Sequence, residues 1–101
     1  MSNFEKDYVL SLLENSSKEY PVKRSEIEDK LHVSKRKAEL LIGELREEGY
    51  RICGMSGTSG YYFAKTEKEF ADFIKDYEAR AWTTIRRSRR MQFFVPDQVE
   101  M

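Results

Sequence analysis

The apolar positions between Ser34 and Gly49 repeat with the period of an α-helix. They fall at i, i+3, i+4 and i+7, which puts them on one stripe of the helix surface: Ala38, Leu41, Ile42 and Leu45. Ser34 can cap the first turn through its hydroxyl group. Gly49 can adopt the left-handed conformation that closes a helix. The pattern predicts an amphipathic helix here, with one face in a hydrophobic core.

Two shorter helices are predicted before this one. Residues 3–15 carry an amphipathic pattern that contains Val9 and Leu13. A second helix runs from Glu26 to about Leu31, because Ser25 and Glu28 have the spacing of a capping box. Two short helices joined by a few residues, with the later one basic at its start, are typical of a helix-turn-helix.

The residues after Gly49 favour a β-hairpin. Residues 50–53 and 61–64 are rich in strand formers, and a Gly/Ser-rich turn separates them. Val22 follows a proline in an extended stretch and is a possible third strand. Three helices followed by a hairpin make a winged helix, in which the hairpin is the wing.

A long helix is predicted after the hairpin. Thr66 and Glu69 have the spacing of a second capping box, and the apolar period then continues to about Arg89. We therefore expect an α+β chain: a winged helix-turn-helix domain over 1–65, a C-terminal helix over 66–92 that packs on the domain or extends from it, and a flexible tail over 93–101.

Residues 33–64 contain four short motifs in a fixed order. They are a Val-Ser turn at 33–34, a helix ending in Leu-Arg-x-x-Gly at 45–49, an apolar strand at Ile52 and a Gly-Tyr pair at 60–61. In these motifs the chain resembles winged helix-turn-helix domains of the biotin-repressor and DeoR-like type. Over roughly residues 3–90 it looks like short phage and prophage proteins. The resemblance implies double-stranded DNA binding in phage replication, packaging or transcriptional control, in the cytoplasm of a bacterial host.

Charge is distributed unevenly along a chain that is neutral overall. Basic and acidic residues number 18 each, yet residues 34–65 are net +2, residues 66–79 net −3 and residues 80–101 net +3. A basic pole can bind a polyanion on a neutral molecule. The single Cys53 fits a reducing compartment. We recognise no signal peptide before Phe4 and no membrane span, and so expect a soluble cytoplasmic protein.

The first turn of the third predicted helix carries three consecutive cations, Lys35 to Lys37. A helix dipole disfavours positive charge at this end, and a bound phosphate would remove the conflict. We expect DNA contacts from this turn, the residue before it, two later arginines and the wing: Ser34, Lys35, Arg36, Lys37, Arg46, Arg51, Ser56 and Thr58. Glu39, Leu40, Gly43 and Glu44 are expected on the exposed side of the helix, where they do not favour base readout.

The C-terminal helix combines Trp82 with arginines at 86, 87, 89 and 90. Arg86, Arg87, Arg89 and Arg90 either follow a nucleic-acid backbone or pair with the acidic residues at 72–78 of a second copy. The second case predicts a homodimer through this helix. It also keeps open a rival function, a winged-helix interaction module without sequence-specific DNA readout.

Catalytic chemistry has little support in the sequence. We find no paired acid, base and nucleophile, and no Cys/His cluster for a metal. Cys53 is expected to be a buried thiol and His32 a helix-end residue. The sequence therefore predicts a protein that is not an enzyme and has no cofactor, catalytic residue or metal site.

Overall fold

The computed structural model describes residues 4–55 and 60–93. Within these ranges the chain forms four helices and a two-stranded antiparallel sheet, so the predicted α+β class with a long C-terminal helix is confirmed. In chain order the elements are α1 (Phe4–Leu13), α2 (Arg24–Leu31), α3 (Lys35–Glu47), β1 (Ile52–Cys53), β2 (Tyr62–Phe63) and α4 (Glu67–Phe93). The chain divides into two compact units, and the division falls between Phe70 and Ala71.

The core of the first unit lies between the three N-terminal helices and the sheet. The stripe predicted on α3 is buried throughout, and Leu45 is 0% exposed. The rest of the buried cluster comes from α1, α2, the segment before α2 and the hairpin: Val9, Leu13, Ile27, Val22, Ile52 and Tyr61. Because one face of α3 is fully covered, its orientation in the domain is fixed.

Both ends of α3 follow the prediction. The Ser34 hydroxyl accepts a hydrogen bond from the Lys37 N–H at 3.1 Å. At the other end Gly49 has φ of +104°. Its N–H donates to the Arg46 carbonyl at 3.0 Å, and the Tyr50 N–H donates to the Leu45 carbonyl at 3.1 Å. These two bonds form a Schellman motif, which turns the chain back toward the sheet.

The start of α2 differs from the prediction. The helix begins at Arg24 with Lys23 as its N-cap, and no side chain caps it. The predicted capping box is wrong, because Ser25 already lies inside the first turn. Glu28 instead accepts a hydrogen bond from Nε of Arg24 at 2.7 Å, one helical turn away. The helix ends at His32, which has φ of 56° and donates its N–H to the Glu28 carbonyl.

The hairpin is shorter than the predicted strands. Ile52 pairs with Phe63 and Cys53 with Tyr62. The suggested third strand is reduced to one bridge between Val22 and Tyr61, whose two N–H···O bonds measure 2.8 Å. At Gly54 an added Cβ would lie 2.0 Å from the Gly60 carbonyl oxygen, so only glycine permits this approach of the two strands.

The helix α4 begins as predicted and continues further. The Thr66 hydroxyl accepts from the Glu69 N–H at 3.0 Å, while the Glu69 carboxylate accepts from the Lys65 N–H at 2.9 Å. The helix ends at Phe93, beyond the expected end near Arg89. The remainder of the predicted tail, 94–101, lies outside the described residues.

Candidate nucleic-acid interface

Two of the three cations at the start of α3 are available to a ligand. Lys35 and Arg36 are exposed, and neither forms an ion pair within residues 4–55 and 60–93. Lys37 differs, because its Nζ lies 3.4 Å from Oε1 of Glu5 on α1. The backbone N–H groups of Lys35 and Arg36 open the helix and so have no intrahelical acceptor. This turn therefore presents N–H donors and two uncompensated charges together.

The acidic residues of α3 do not lie where the sequence suggested. Oε2 of Glu39 is 3.6 Å from Nη1 of Arg24 on α2, and Oε1 of Glu44 is 3.7 Å from Nζ of Lys6 on α1. Both residues flank the buried stripe and bridge to the neighbouring helices, with side chains still 37% and 42% exposed, so they lie at the edges of the exposed side and not at its centre. Lys6 also bonds Glu48, which raises the pKa of the Lys6 ammonium group.

The outward ridge of α3 follows the i, i+4, i+7, i+11 spacing and consists of Arg36, Leu40, Gly43 and Glu47. Leu40 is 52% exposed, and a Cβ added at Gly43 would meet nothing within 4 Å. Beyond Arg36 the ridge has no basic or amide side chain. It therefore offers few donors for reading base edges.

Arg46 has a structural position that the sequence did not reveal. Its Nε donates to the Ile52 carbonyl at 3.0 Å and its Nη2 to the Gly54 carbonyl at 2.6 Å. Its Cζ also lies 5.7 Å from the centre of the Tyr61 ring. The guanidinium group thus holds the hairpin against the end of α3. The sequence signal was weak, since these acceptors come within reach only after the chain turns at Gly49.

Arg51 links the hairpin to the start of α4. Its Nη1 lies 2.7 Å from Oε2 of Glu67, and its Cζ lies 4.4 Å from the centre of the Phe70 ring. Both charged groups are exposed, so the ion pair is screened and weak. Ser56 and Thr58, predicted in the wing, lie outside the described residues.

A buried serine also supports the hairpin. The Ser16 hydroxyl donates to the Leu13 carbonyl at 2.6 Å and accepts from the Phe63 N–H at 3.1 Å. It thereby connects the end of α1 to β2, across 47 positions of sequence. No local pattern in the sequence identifies this role.

The cations of α4 are exposed. Trp82 is 56% exposed, and four arginines near it form no ion pair with any residue in the described ranges: Arg86, Arg87, Arg89 and Arg90. These residues lie in the second unit.

Cys53 is fully buried, as expected, and burial raises the pKa of its thiol. In the described residues no group of three or more His, Cys, Asp or Glu side chains could hold a metal ion. None of the helices in those ranges combines the length and apolar character needed to cross a membrane.

Comparisons with known proteins leave the family open. No protein-family model matches the chain, and neither curated proteins nor solved structures give a significant match.

Proposed function

We propose that the chain is a non-catalytic, winged-helix DNA-binding protein. The observation that carries this proposal is the exposed pair Lys35 and Arg36, which has no acidic partner within the described residues. Two acids of α3, Glu39 and Glu44, form ion pairs with Arg24 and Lys6, and a third, Glu47, lies at the opposite end of the helix from Lys35 and Arg36. The first turn of α3 therefore offers a net positive site at a helix start, which suits a phosphate.

Each proposed contact has a distinct physical role. Lys35 and Arg36 neutralise phosphates, and the N–H groups of the same turn donate to phosphate oxygens. Lys37 shares its charge with Glu5 and contributes less. Arg46 mainly positions the hairpin, which acts as the wing, and Arg51 must leave Glu67 to reach DNA. Ser34 caps the first turn of α3, and Ser56 and Thr58 are further contacts proposed from the sequence alone.

Binding of this kind depends on the backbone more than on sequence. The outward ridge of α3 supplies Leu40, Gly43 and Glu47, of which only Glu47 can bond a base edge. We therefore expect moderate affinity for any duplex and weak sequence discrimination. The part in phage replication, packaging or transcriptional control, in a bacterial cytoplasm, rests on the sequence resemblance.

The test compares duplex DNA binding of the double variant Lys35→Ala/Arg36→Ala with that of Lys18→Ala/Lys75→Ala. Each variant removes two positive charges. All four residues are exposed and form no ion pair in the described ranges, so neither variant breaks one. Fluorescence anisotropy is measured with one labelled duplex at several salt concentrations. The first variant should reduce the slope of log affinity against log salt by about 1.8, since each lost phosphate contact contributes about 0.9. Equal slopes in a folded first variant and in the wild type would rule this surface out.

A second copy of the chain is the proposed protein partner. In α4, acidic side chains precede position 79 and arginines follow it, so two antiparallel copies would oppose unlike charges. Glu69 and Asp76 share a face of α4 with Arg80 and Arg87. In one antiparallel register, Glu69 of each copy faces Arg87 of the other, and Asp76 of each copy faces Arg80 of the other. Sedimentation at micromolar concentration tests this homodimer. Reversing both arginines to glutamate should yield monomers, and a wild-type chain that is a monomer throughout contradicts it.

The rival interaction module is favoured by one observation, the exposed Leu40 beside the open space at Gly43. If the chain does not bind duplex DNA even at low salt, that function replaces DNA binding.

A further inference from the structure

The second half of α4 has one ridge on which two arginines lie between two aromatic residues. Trp82, Arg86, Arg89 and Phe93 follow the i, i+4, i+7, i+11 spacing and so lie along one line of the helix surface. We call these four residues the Trp82 ridge. All are exposed, Trp82 to 56% and Phe93 to 79%. A helix rise of about 1.5 Å per residue makes the ridge about 16 Å long.

The acidic residues of α4 all precede the Trp82 ridge along the helix. No Asp or Glu occurs from residue 79 to residue 93. Glu69 and Asp76 lie on the face of Arg80 and Arg87, whereas Glu78 lies four residues before Trp82 on the line of the ridge, about 12 Å along the helix from Arg86. Neither Arg86 nor Arg89 forms an ion pair in the part of the chain that the structure describes. Their charge is therefore not compensated within α4.

The presence of rings and guanidinium groups on one ridge limits which classes of ligand could bind it. A helix that lies on a membrane places basic and apolar side chains on opposite faces, whereas here they lie together on one ridge. An acidic peptide would satisfy Arg86 and Arg89 but leave both rings in water. A closed duplex presents phosphates, but its bases are stacked on one another and cannot cover Trp82. Unpaired nucleotides offer phosphates for the arginines and base faces for the rings.

We propose that the Trp82 ridge binds single-stranded nucleic acid. Arg86 and Arg89 hold the backbone through phosphate contacts, and Trp82 and Phe93 stack on bases at the two ends. The whole ridge belongs to α4 and shares no residue with the first turn of α3. This binding site is therefore independent of the duplex-binding surface proposed above.

The chain contains a single tryptophan, so its intrinsic fluorescence reports directly on the ridge. The 101-residue chain is titrated with an oligothymidylate of eight nucleotides and with an abasic oligomer of the same length and charge. Stacking should quench Trp82 emission in the first titration and leave it nearly unchanged in the second. Equal quenching by the two oligomers would overturn the stacking, since only one of them carries bases.

Variants on opposite faces of α4 test the arginines. Arg86→Ala/Arg89→Ala should weaken oligothymidylate binding several-fold and flatten its salt dependence. Arg80→Ala/Arg87→Ala is the matched control, because it removes the same charge from the same helix. Since the proposed dimer uses Arg80 and Arg87, both variants and the wild type are compared at protein concentrations at which sedimentation shows monomers. Equal losses in the two variants would show general attraction to a basic helix and contradict the proposed ridge. Circular dichroism checks that both variants keep α4.

Trp82 itself is tested with a labelled oligothymidylate and anisotropy. Trp82→Ala should lower the affinity by about fivefold to 150-fold, the usual range for one lost stacking platform, and Trp82→Phe should keep most of it. Lys35→Ala/Arg36→Ala should leave oligothymidylate binding unchanged. Failure of the duplex-binding proposal can therefore be distinguished from failure of the Trp82 ridge proposal. If Trp82 emission instead shifts with protein concentration alone, in step with dimer formation, a second copy covers the ridge and the proposal is wrong.

Discussion

Gly43 and Gly49 form a natural pair for separating helix propensity from backbone strain. A Cβ atom added at either position would meet nothing within 4 Å. Gly43 lies in the interior of α3, whereas Gly49 follows the helix with φ of +104°. Because the space around both is open, replacement by alanine changes the backbone energy alone.

The expected effects have opposite signs. Alanine at Gly43 should stabilise the fold by about 1 kcal/mol, the difference in helix propensity between the two residues. Alanine at Gly49 should destabilise it by about 1–2 kcal/mol, because a side chain at positive φ meets its own backbone. For a domain of this size 1 kcal/mol corresponds to about 4–8 °C in Tm.

Urea denaturation followed by circular dichroism measures both variants, with the slope on urea as the check on two-state unfolding. Loss of stability in Gly43→Ala would refute the reasoning, since it would mean that another group lies against the outward ridge of α3. The same protein is then tested on duplex DNA. We expect its affinity to stay within about twofold of wild type, because the proposed contacts lie in the first turn, and a loss of about tenfold would mean that DNA follows the whole ridge.

Three further changes test the fold and its ionisation. Leu45→Ala should cost about 2–5 kcal/mol in urea denaturation, since Leu45 is fully buried in the core; a loss below 1 kcal/mol would contradict that packing. Arg46→Met keeps the side-chain stem but removes two hydrogen bonds to β1 and the following turn, so hydrogen exchange of the Tyr61 and Val22 amides should accelerate while α1 is unaffected. Burial raises the pKa of the Cys53 thiol in the folded chain, so the unfolded chain loses this proton first and stability should fall above about pH 9.0; Cys53→Ala should show a smaller alkaline loss in denaturation at pH 8 and pH 10.

The helix α3 could be predicted because its signals are local. The cap at Ser34, the apolar period and the glycine after the last turn all act within a few residues of the backbone they determine. The hairpin was also predictable in outline, since glycines at its base are required by the approach of the two strands. Neither result depended on contacts between distant segments.

The predictions were wrong for polar side chains whose hydrogen-bond or ion-pair partner lies on another element or competes with the predicted one. Ser25 and Glu28 fit a capping box, but Arg24 lies one turn before Glu28 and binds it instead. The position of Glu39 and Glu44 depends on Arg24 and Lys6, which lie on other helices. A pattern within α3 identifies which residues are apolar, but it does not show which polar residues will bridge to neighbours. The hydrogen bonds from Arg46 to the hairpin were not predicted for the same reason.

These ion pairs explain how a chain with no net charge can present a basic surface. Lys6 and Arg24 form ion pairs within the helical domain. Lys6 pairs with Glu44 of α3, and Arg24 pairs with Glu39 of α3 and with Glu28 of its own helix. The pairs with Glu39 and Glu44 offset part of the negative charge of α3 while Lys35 and Arg36 stay exposed at its start. If Lys6 or Arg24 were replaced by methionine, the stem would still pack but Glu44 or Glu39 would regain its negative potential near the proposed phosphate site. Duplex affinity should then fall although no proposed DNA contact has been touched, and the fall should be larger at low salt. An unchanged affinity in either folded variant would mean that the carboxylates are too far from the bound phosphate to matter, and that Lys35 and Arg36 act without help from the pairing behind them.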